Sequence, residues 1–293
     1  MQRLIDDAFL RQLSRLRFIT KGRRRGRLSG SHTSPRAGVS LEFADYRPYT
    51  PGDDFRYVDW NVYGRLDRVL VKRFVHESDL PIYLLVDFSA SMGLGSPAKA
   101  FYAARLAAAL AYLGLRGLDR VGVYPFRDAL EASSVPPRHG MRQMGHILRT
   151  LGDLRPAGET SIDQAVSELL ARTRESGLVV VVSDFLSENG YRDGIGRLRH
   201  RKDDVIAIQI LDPAEIRPTG TGTTELVDVE SKRQTVLTVG RSTLAAYEDR
   251  LGRHQDELRR FLLERGIPYV LGTTDRPVER LIHEDLRRGG VLR

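Results

Sequence analysis

Cysteine is absent from the 293-residue chain. That excludes disulfides, thiolate zinc sites and cysteine nucleophiles. The seven histidines show no His-x-x-x-His spacing on one helix, so a zinc hydrolase is not expected; His32 and His76 read as surface residues. No phosphate-binding Gly-x-x-x-x-Gly-Lys-Ser/Thr loop occurs. No apolar run approaches the roughly 20 residues needed to cross a bilayer. A signal-peptide pattern is also lacking, because Asp6 and Asp7 interrupt the opening and Arg11, Arg15 and Arg17 follow. The expectation is a soluble cytoplasmic protein. Internal repeats and long low-complexity tracts are missing as well.

The composition is that of a globular chain, 41% hydrophobic and 29% charged, long enough for a sizeable core. The formal charge of +8 is partly local. Lys21, Arg23, Arg24, Arg25 and Arg27 form one cluster, and Arg287, Arg288 and Arg293 another. Binding of nucleic acid or an anionic surface through the first cluster is one reading, and it implies steep salt dependence. A solvated basic surface is the simpler one, since no zinc finger or RNP-like aromatic pattern accompanies the charge.

Pattern divides the chain near residue 80. Residues 1–80 read as an N-terminal extension. Leu4, Ile5, Ala8, Phe9, Leu13 and Leu16 predict an amphipathic helix over residues 1–20, and a loop over 21–40 holds the basic cluster. Pro51-Gly52-Asp53-Asp54 is a turn signal. Asp53 or Asp54 is expected to cap a short helix, and Trp60 and Tyr49 to pack a polar network of Arg47, Asp54, Arg56 and Asp59. A strand is expected within 66–75.

Residues 81–293 alternate strand and helix patterns. Strands are expected over 81–87, 119–126, 178–182, 205–211 and 266–271, with a short edge strand over 129–135 ended by Pro136 and Pro137. Helices are expected over 98–115, 138–151, 161–174, 191–200, 243–265 (with Ser242 as cap) and 278–288. A hairpin is expected across 225–239. Such alternation implies an α/β fold: a doubly wound, mostly parallel, Rossmann-like sheet with helices on both faces.

The stretch with the most chemistry is Leu-Leu-Val-Asp-Phe-Ser-Ala-Ser-Met over residues 84–92. An apolar run, the mark of a strand buried on both faces, stops at Asp87 and continues into Ser89 and Ser91. Thr160 lies just before a helix, and Asp184 ends a Val-rich strand. The strand C-termini of a doubly wound sheet share one edge, so these groups can meet there. Two serines, a threonine and two aspartates offer only oxygen, which suits Mg2+, Mn2+ or Ca2+ rather than zinc. With so few charged ligands the ion would stay electrophilic and able to accept a partner's carboxylate. Each residue also has a duller reading: Ser89, Ser91 and Thr160 as helix or turn caps, Asp184 as a turn residue.

Asp87-x-Ser89-x-Ser91, with Thr160 and Asp184 downstream, resembles the metal-ion-dependent adhesion site (MIDAS) of von Willebrand factor A domains. The resemblance implies that Ser89, Ser91 and Thr160 ligate the ion directly, and Asp87 and Asp184 directly or through water. Glu42-Phe43, Arg47-x-Tyr49, Pro51-Gly52-Asp53-Asp54, Arg56 and Asp59-Trp60 resemble a bacterial family labelled domain of unknown function, number 58. That resemblance implies association with a MoxR-type AAA+ ATPase in assembly or chaperone-like work. The expected function is therefore a non-enzymatic, metal-dependent interaction module whose protein partner supplies an acidic residue. A metal-dependent phosphatase-like enzyme is the alternative. Such enzymes place a second acid two residues after the first to move protons, and Ser89 stands there instead.

Overall fold

The computed structural model describes residues 4–13, 16–19, 42–50, 55, 58–66, 68–75, 80–187, 190–220 and 222–293. The chain forms two compact units, one of Met1–Thr20 with Leu80–Arg293 and one of Lys21–Asp79.

In the smaller unit, β1 (Glu42–Pro48) pairs antiparallel with β2 (Leu70–Val75). The helix between them, α2 (Trp60–Leu66), is capped by Asp59, whose Oδ1 accepts from the amides of Asn61 (3.0 Å) and Val62 (3.3 Å). Asp59 Oδ2 accepts from the Tyr46 hydroxyl at 2.8 Å. Asp53 and Asp54, expected as caps, lie outside the described residues, as do Arg56, His32, His76 and the basic cluster at 21–27. Trp60 is 61% exposed; the polar network expected around it involves Arg47, Asp54 and Arg56, whose side chains lie outside the described residues.

The larger unit is an α/β fold. Its main sheet has six strands: β3 (Pro81–Asp87), β4 (Arg120–Phe126), β5 (Val135–Arg138), β6 (Leu178–Ser183), β7 (Asp204–Leu211) and β10 (Tyr269–Thr273). They are ordered β10-β7-β6-β3-β4-β5, all parallel except β5, which runs antiparallel beside β4. This is a doubly wound, mostly parallel arrangement. Alternation along β3 builds both cores. Ile82, Leu84 and Val86 join α3 (Lys99–Arg116) and α4 (Arg142–Asp153) on one face. Tyr83 and Leu85 join α5 (Ile162–Arg172), α6 (Arg192–His200) and α8 (Arg241–Glu264) on the other. A strand apolar at every position is what such two-sided burial requires.

Four local expectations change. Among the described residues of the N-terminal stretch the helix is α1 (Asp7–Leu13), and beyond it Phe18 bridges Leu292. Phe9, Leu13, Leu16 and Phe18 are buried in the first core, so residues 1–20 belong with the α/β unit. The edge strand contains the two prolines rather than ending at them. Its ladder runs through Val135 and Arg138, so no backbone N–H is asked of Pro136 or Pro137. Helix α8 starts after Gly240, with no side-chain cap from Ser242. The last helical stretch is continuous but passes from α9 (Val278–Arg280) through a π turn (Leu281–Asp285) into α10 (Leu286–Arg288). Between β7 and α8 lie α7 (Pro213–Ile216) and a ribbon of β8 (Gly222–Val227) and β9 (Gln234–Val239). Among the described residues no helix is long and apolar enough to cross a membrane.

Candidate functional site

Strand order reverses between β3 and β6: from β3 the chain winds outward through β4 and β5, then returns to β6 on the other side. The crevice beyond the carboxyl ends of two such strands is where open α/β sheets place ligands. Asp87 closes β3 there, and Ser183-Asp184 closes β6. Because Val86 pairs with Val182, Asp87 comes beside Ser183, whose hydroxyl donates to Asp87 Oδ2 at 2.6 Å. Asp87 Oδ1 accepts from the Ser89 amide at 2.8 Å. Ser89 Oγ lies 3.1 Å from Ser91 Oγ, and the Ser91 hydroxyl donates to Asp184 Oδ2 at 2.8 Å. Four of the five residues singled out in the sequence are therefore one hydrogen-bonded chain, and all but Ser91 of these four are fully buried.

The fifth, Thr160, is also buried, and its loop is stitched to both others. The Ala90 amide donates to Gly158 O, and the Ala157 amide to Phe88 O, each at 3.0 Å. The Ser187 hydroxyl donates to Thr160 O at 2.7 Å. Thr160 does not cap α5; Ser161 does, accepting from the Gln164 amide. The side chain of Thr160 is thereby left for another use, and its hydroxyl donates to Glu230. The Asp184 loop is held tightly too. Phe185 takes the left-handed conformation at φ 55, which a bulky residue adopts only under outside constraint. Gln209 donates to Asp184 O at 2.7 Å and accepts from Tyr269 at 2.6 Å.

Burial, reinforced by the neighbouring Asp184 carboxylate, pushes the Asp87 carboxyl up to about 7, against the pull of its hydrogen bonds from Ser183 and Ser89. Two buried carboxylates at one crevice call for positive charge. One source is Lys99, fully buried at the start of α3, which bonds Asp184 Oδ2 at 2.8 Å and Glu215 Oε1 at 2.5 Å. Burial works to lower its pKa, but Asp184 and Glu215 outweigh that, and the net shift is upward. Asp184 and Glu215 thus share the Lys99 ammonium, so the network keeps an excess of negative charge.

Lys99, Ser183, Glu215 and Glu230 were not singled out in the sequence. Glu215 has a legible signal, the capping box Asp212-Pro-Ala-Glu215 that the structure forms. Ser183 sits beside Asp184 in sequence. Lys99 gives no signal, because a lone lysine opening an Ala-rich helix reads as solvated. Among the described residues no three His, Cys, Asp or Glu side chains cluster as a metal site; this set has two carboxylates, and hydroxyls make up the rest.

A family model described as protein of unknown function DUF58 matches residues 45–257. An uncharacterised protein of Mycobacterium tuberculosis is 29% identical over 278 residues, covering 93% of this chain and 87% of that protein. Among solved structures, the conserved hypothetical protein BatB from Bacteroides thetaiotaomicron is 16% identical with a TM-score of 0.43, over 72% of this chain and 98% of that one. Proximal thread matrix protein 1 from the mussel byssus, with a zinc-occupied MIDAS motif, is 18% identical with a TM-score of 0.38, over 45% of this chain and 38% of that one.

Proposed function

The chain belongs to the DUF58 family of proteins of unknown function, and from that premise we propose that its sheet-edge crevice is a non-enzymatic, metal-dependent protein-interaction site. Asp87, Ser89, Ser91, Thr160 and Asp184 would hold the ion. The observation that carries this reading is the hydrogen-bonded chain Asp87–Ser183 and Ser89–Ser91–Asp184 at the switch point, with the Asp87 carboxyl pushed up by its burial and by a second carboxylate. The donor set fits a hard divalent cation such as Mg2+, with Mn2+ and Ca2+ as the other candidates: every atom is oxygen, and the surplus negative charge beyond Lys99 is what such an ion neutralises. When bound, the ion supplies a positive centre that accepts one more oxygen ligand.

The chain's own residues do the remaining work. Ser183 and the Ser89 amide orient the Asp87 carboxyl. The Gln209 amide and the left-handed Phe185 fix the Asp184 loop. Lys99 balances Asp184 without entering from solvent. A second acid two residues after Asp87 would be needed for proton transfer to a leaving group, and Ser89 occupies that position. This favours binding of a partner's acidic side chain over hydrolysis. The partner class we propose is a MoxR-type AAA+ ATPase, on the family resemblance.

The test is calorimetric titration of Mg2+ and Mn2+ into wild type and Asp87→Ala. Binding by wild type that falls at least about tenfold in the variant, roughly 1.4 kcal/mol, is the expected result; equal affinity removes the reading. Pull-down of a MoxR-type ATPase with and without chelator tests the partner, which should be lost with the metal.

A further inference from the structure

The β8–β9 ribbon is built unlike the rest of the larger unit. Its strand residues are exposed except for a partly covered Val239, and Leu226, Val227, Val236 and Leu237 all face solvent. A two-stranded ribbon of this kind is marginally stable alone and needs anchorage. At its base the Thr243 hydroxyl donates to Thr238 O at 3.3 Å. At its tip the connection over 228–233 is a made turn. Asp228 Oδ1 accepts from the amides of Glu230 and Ser231, both at 2.8 Å. The Asp228 amide donates to Arg233 O at 2.9 Å, and Lys232 takes the left-handed conformation at φ 60.

That turn presents Glu230 to the crevice. Its Oε1 accepts from the Thr160 hydroxyl at 2.9 Å and its Oε2 from the Thr160 amide at 3.1 Å. Both carboxylate oxygens are thus spent on one of the five residues assigned to the metal-dependent site, across 70 positions of sequence. Such charge-assisted, two-point contacts are stronger and more directional than neutral ones. Thr160 has one hydroxyl proton and one amide proton, so a second carboxylate cannot take this contact while Glu230 keeps it.

We propose that Glu230 is an internal ligand of the site, and that a protein partner gains it by presenting its own acidic side chain and displacing the β8–β9 ribbon. This rests on the reading of the crevice as a receptor for acidic side chains. The partner's recognition element is then a carboxylate at an exposed turn or chain end, the chemistry Glu230 offers in cis. Displacement also frees the ribbon, with its exposed Leu226, Val227, Val236 and Leu237, to join the partner's surface. A state whose site is occupied in cis binds a competitor more weakly by the fraction of time the site is free.

The test uses the full chain, as wild type, Glu230→Ala and Glu230→Gln, with hexaglutamate as probe. In metal-free protein, hydrogen exchange at the Thr160 amide should accelerate about tenfold in Glu230→Ala, with exchange in β3 and β6 unchanged. In Mg2+, Glu230→Ala should bind hexaglutamate about tenfold more tightly than wild type, and Glu230→Gln, which keeps one oxygen acceptor, should fall between. Equal exchange at Thr160 and equal hexaglutamate affinity overturn the proposal. The two readings fail separately. Wild type and variant that bind Mg2+ alike, yet show no difference in exchange or peptide affinity, leave the metal site and remove the internal ligand. A chain that binds no Mg2+ removes the metal, while exchange at the Thr160 amide still decides whether Glu230 holds it.

Discussion

Asp87 is the residue on which the proposed metal binding and the pH dependence of the crevice both turn. Its carboxyl has no exposed surface and sits at about 7 because burial and Asp184 disfavour its charge. In metal-free protein this has a signed consequence. Between pH about 4 and about 7 the folded chain keeps a proton on Asp87 that the unfolded chain has released. Stability is therefore fullest below the unfolded value, falls as the pH rises through this window and levels off above it. Urea unfolding in chelator should show a loss of about 2–3 kcal/mol between pH 5 and pH 8. Asp87→Asn, uncharged throughout, should show a shallower slope, and identical slopes would clear Asp87 as the cause. Added Mg2+ should restore wild type at pH 8 more than at pH 5, because metal and proton compete for the same oxygens.

Elements differ in how openly the sequence announces them. Strands β3 and β6 are legible as apolar runs, and β7 as one interrupted by Gln209, because both faces of each are covered. The Asp-x-Ser-x-Ser spacing shows as well, since a carboxylate and alternate hydroxyls at the end of such a run serve no core. What stays hidden depends on tertiary partners. Pro136 and Pro137 look like a stop until β4 is seen to pair with the residues on either side of them. Lys99 looks solvated until Asp184 and Glu215 close on it. Glu230 looks like any hairpin charge until its turn meets Thr160. Packing of α3 on the sheet is another hidden feature. A Cβ on Gly114 would lie 2.7 Å from Val121 Cγ2 and 2.8 Å from Ile82 Cδ1, whereas one on Gly252 in α8 meets nothing within 4 Å. Helix propensity favours alanine at both, by up to about 1 kcal/mol. Overpacking at Gly114 should reverse that, leaving Gly114→Ala about 1–2 kcal/mol less stable. Gly252→Ala should instead gain about 0.5–1 kcal/mol. Chemical denaturation of the two variants checks the opposite signs.

At the scale of the whole molecule, the question is where the α/β unit begins. Pattern alone places the boundary near residue 80, with everything before it an extension. The contacts instead put Met1–Thr20 with Leu80–Arg293 and leave Lys21–Asp79 as its own unit. The physical reason is area: Phe9 and Leu13 are buried in the same core as α3 and the sheet, and the Arg105 guanidinium lies 4.9 Å from the Phe9 ring centre. The chain ends are also tied together. The Arg17 amide donates to Arg293 O and the Arg293 amide to Arg17 O, both at 3.0 Å. A residue of an appended segment can be truncated without disturbing the body it follows, whereas a core residue cannot. Phe9→Ala should therefore lower the stability of the α/β unit by about 3–5 kcal/mol, read as a shift of the urea midpoint monitored by far-UV dichroism. Trp60→Ala, at a ring 61% exposed, should stay within about 0.5 kcal/mol of wild type. A Phe9→Ala midpoint indistinguishable from wild type would return residues 1–20 to an extension and move the start of the domain to residue 80.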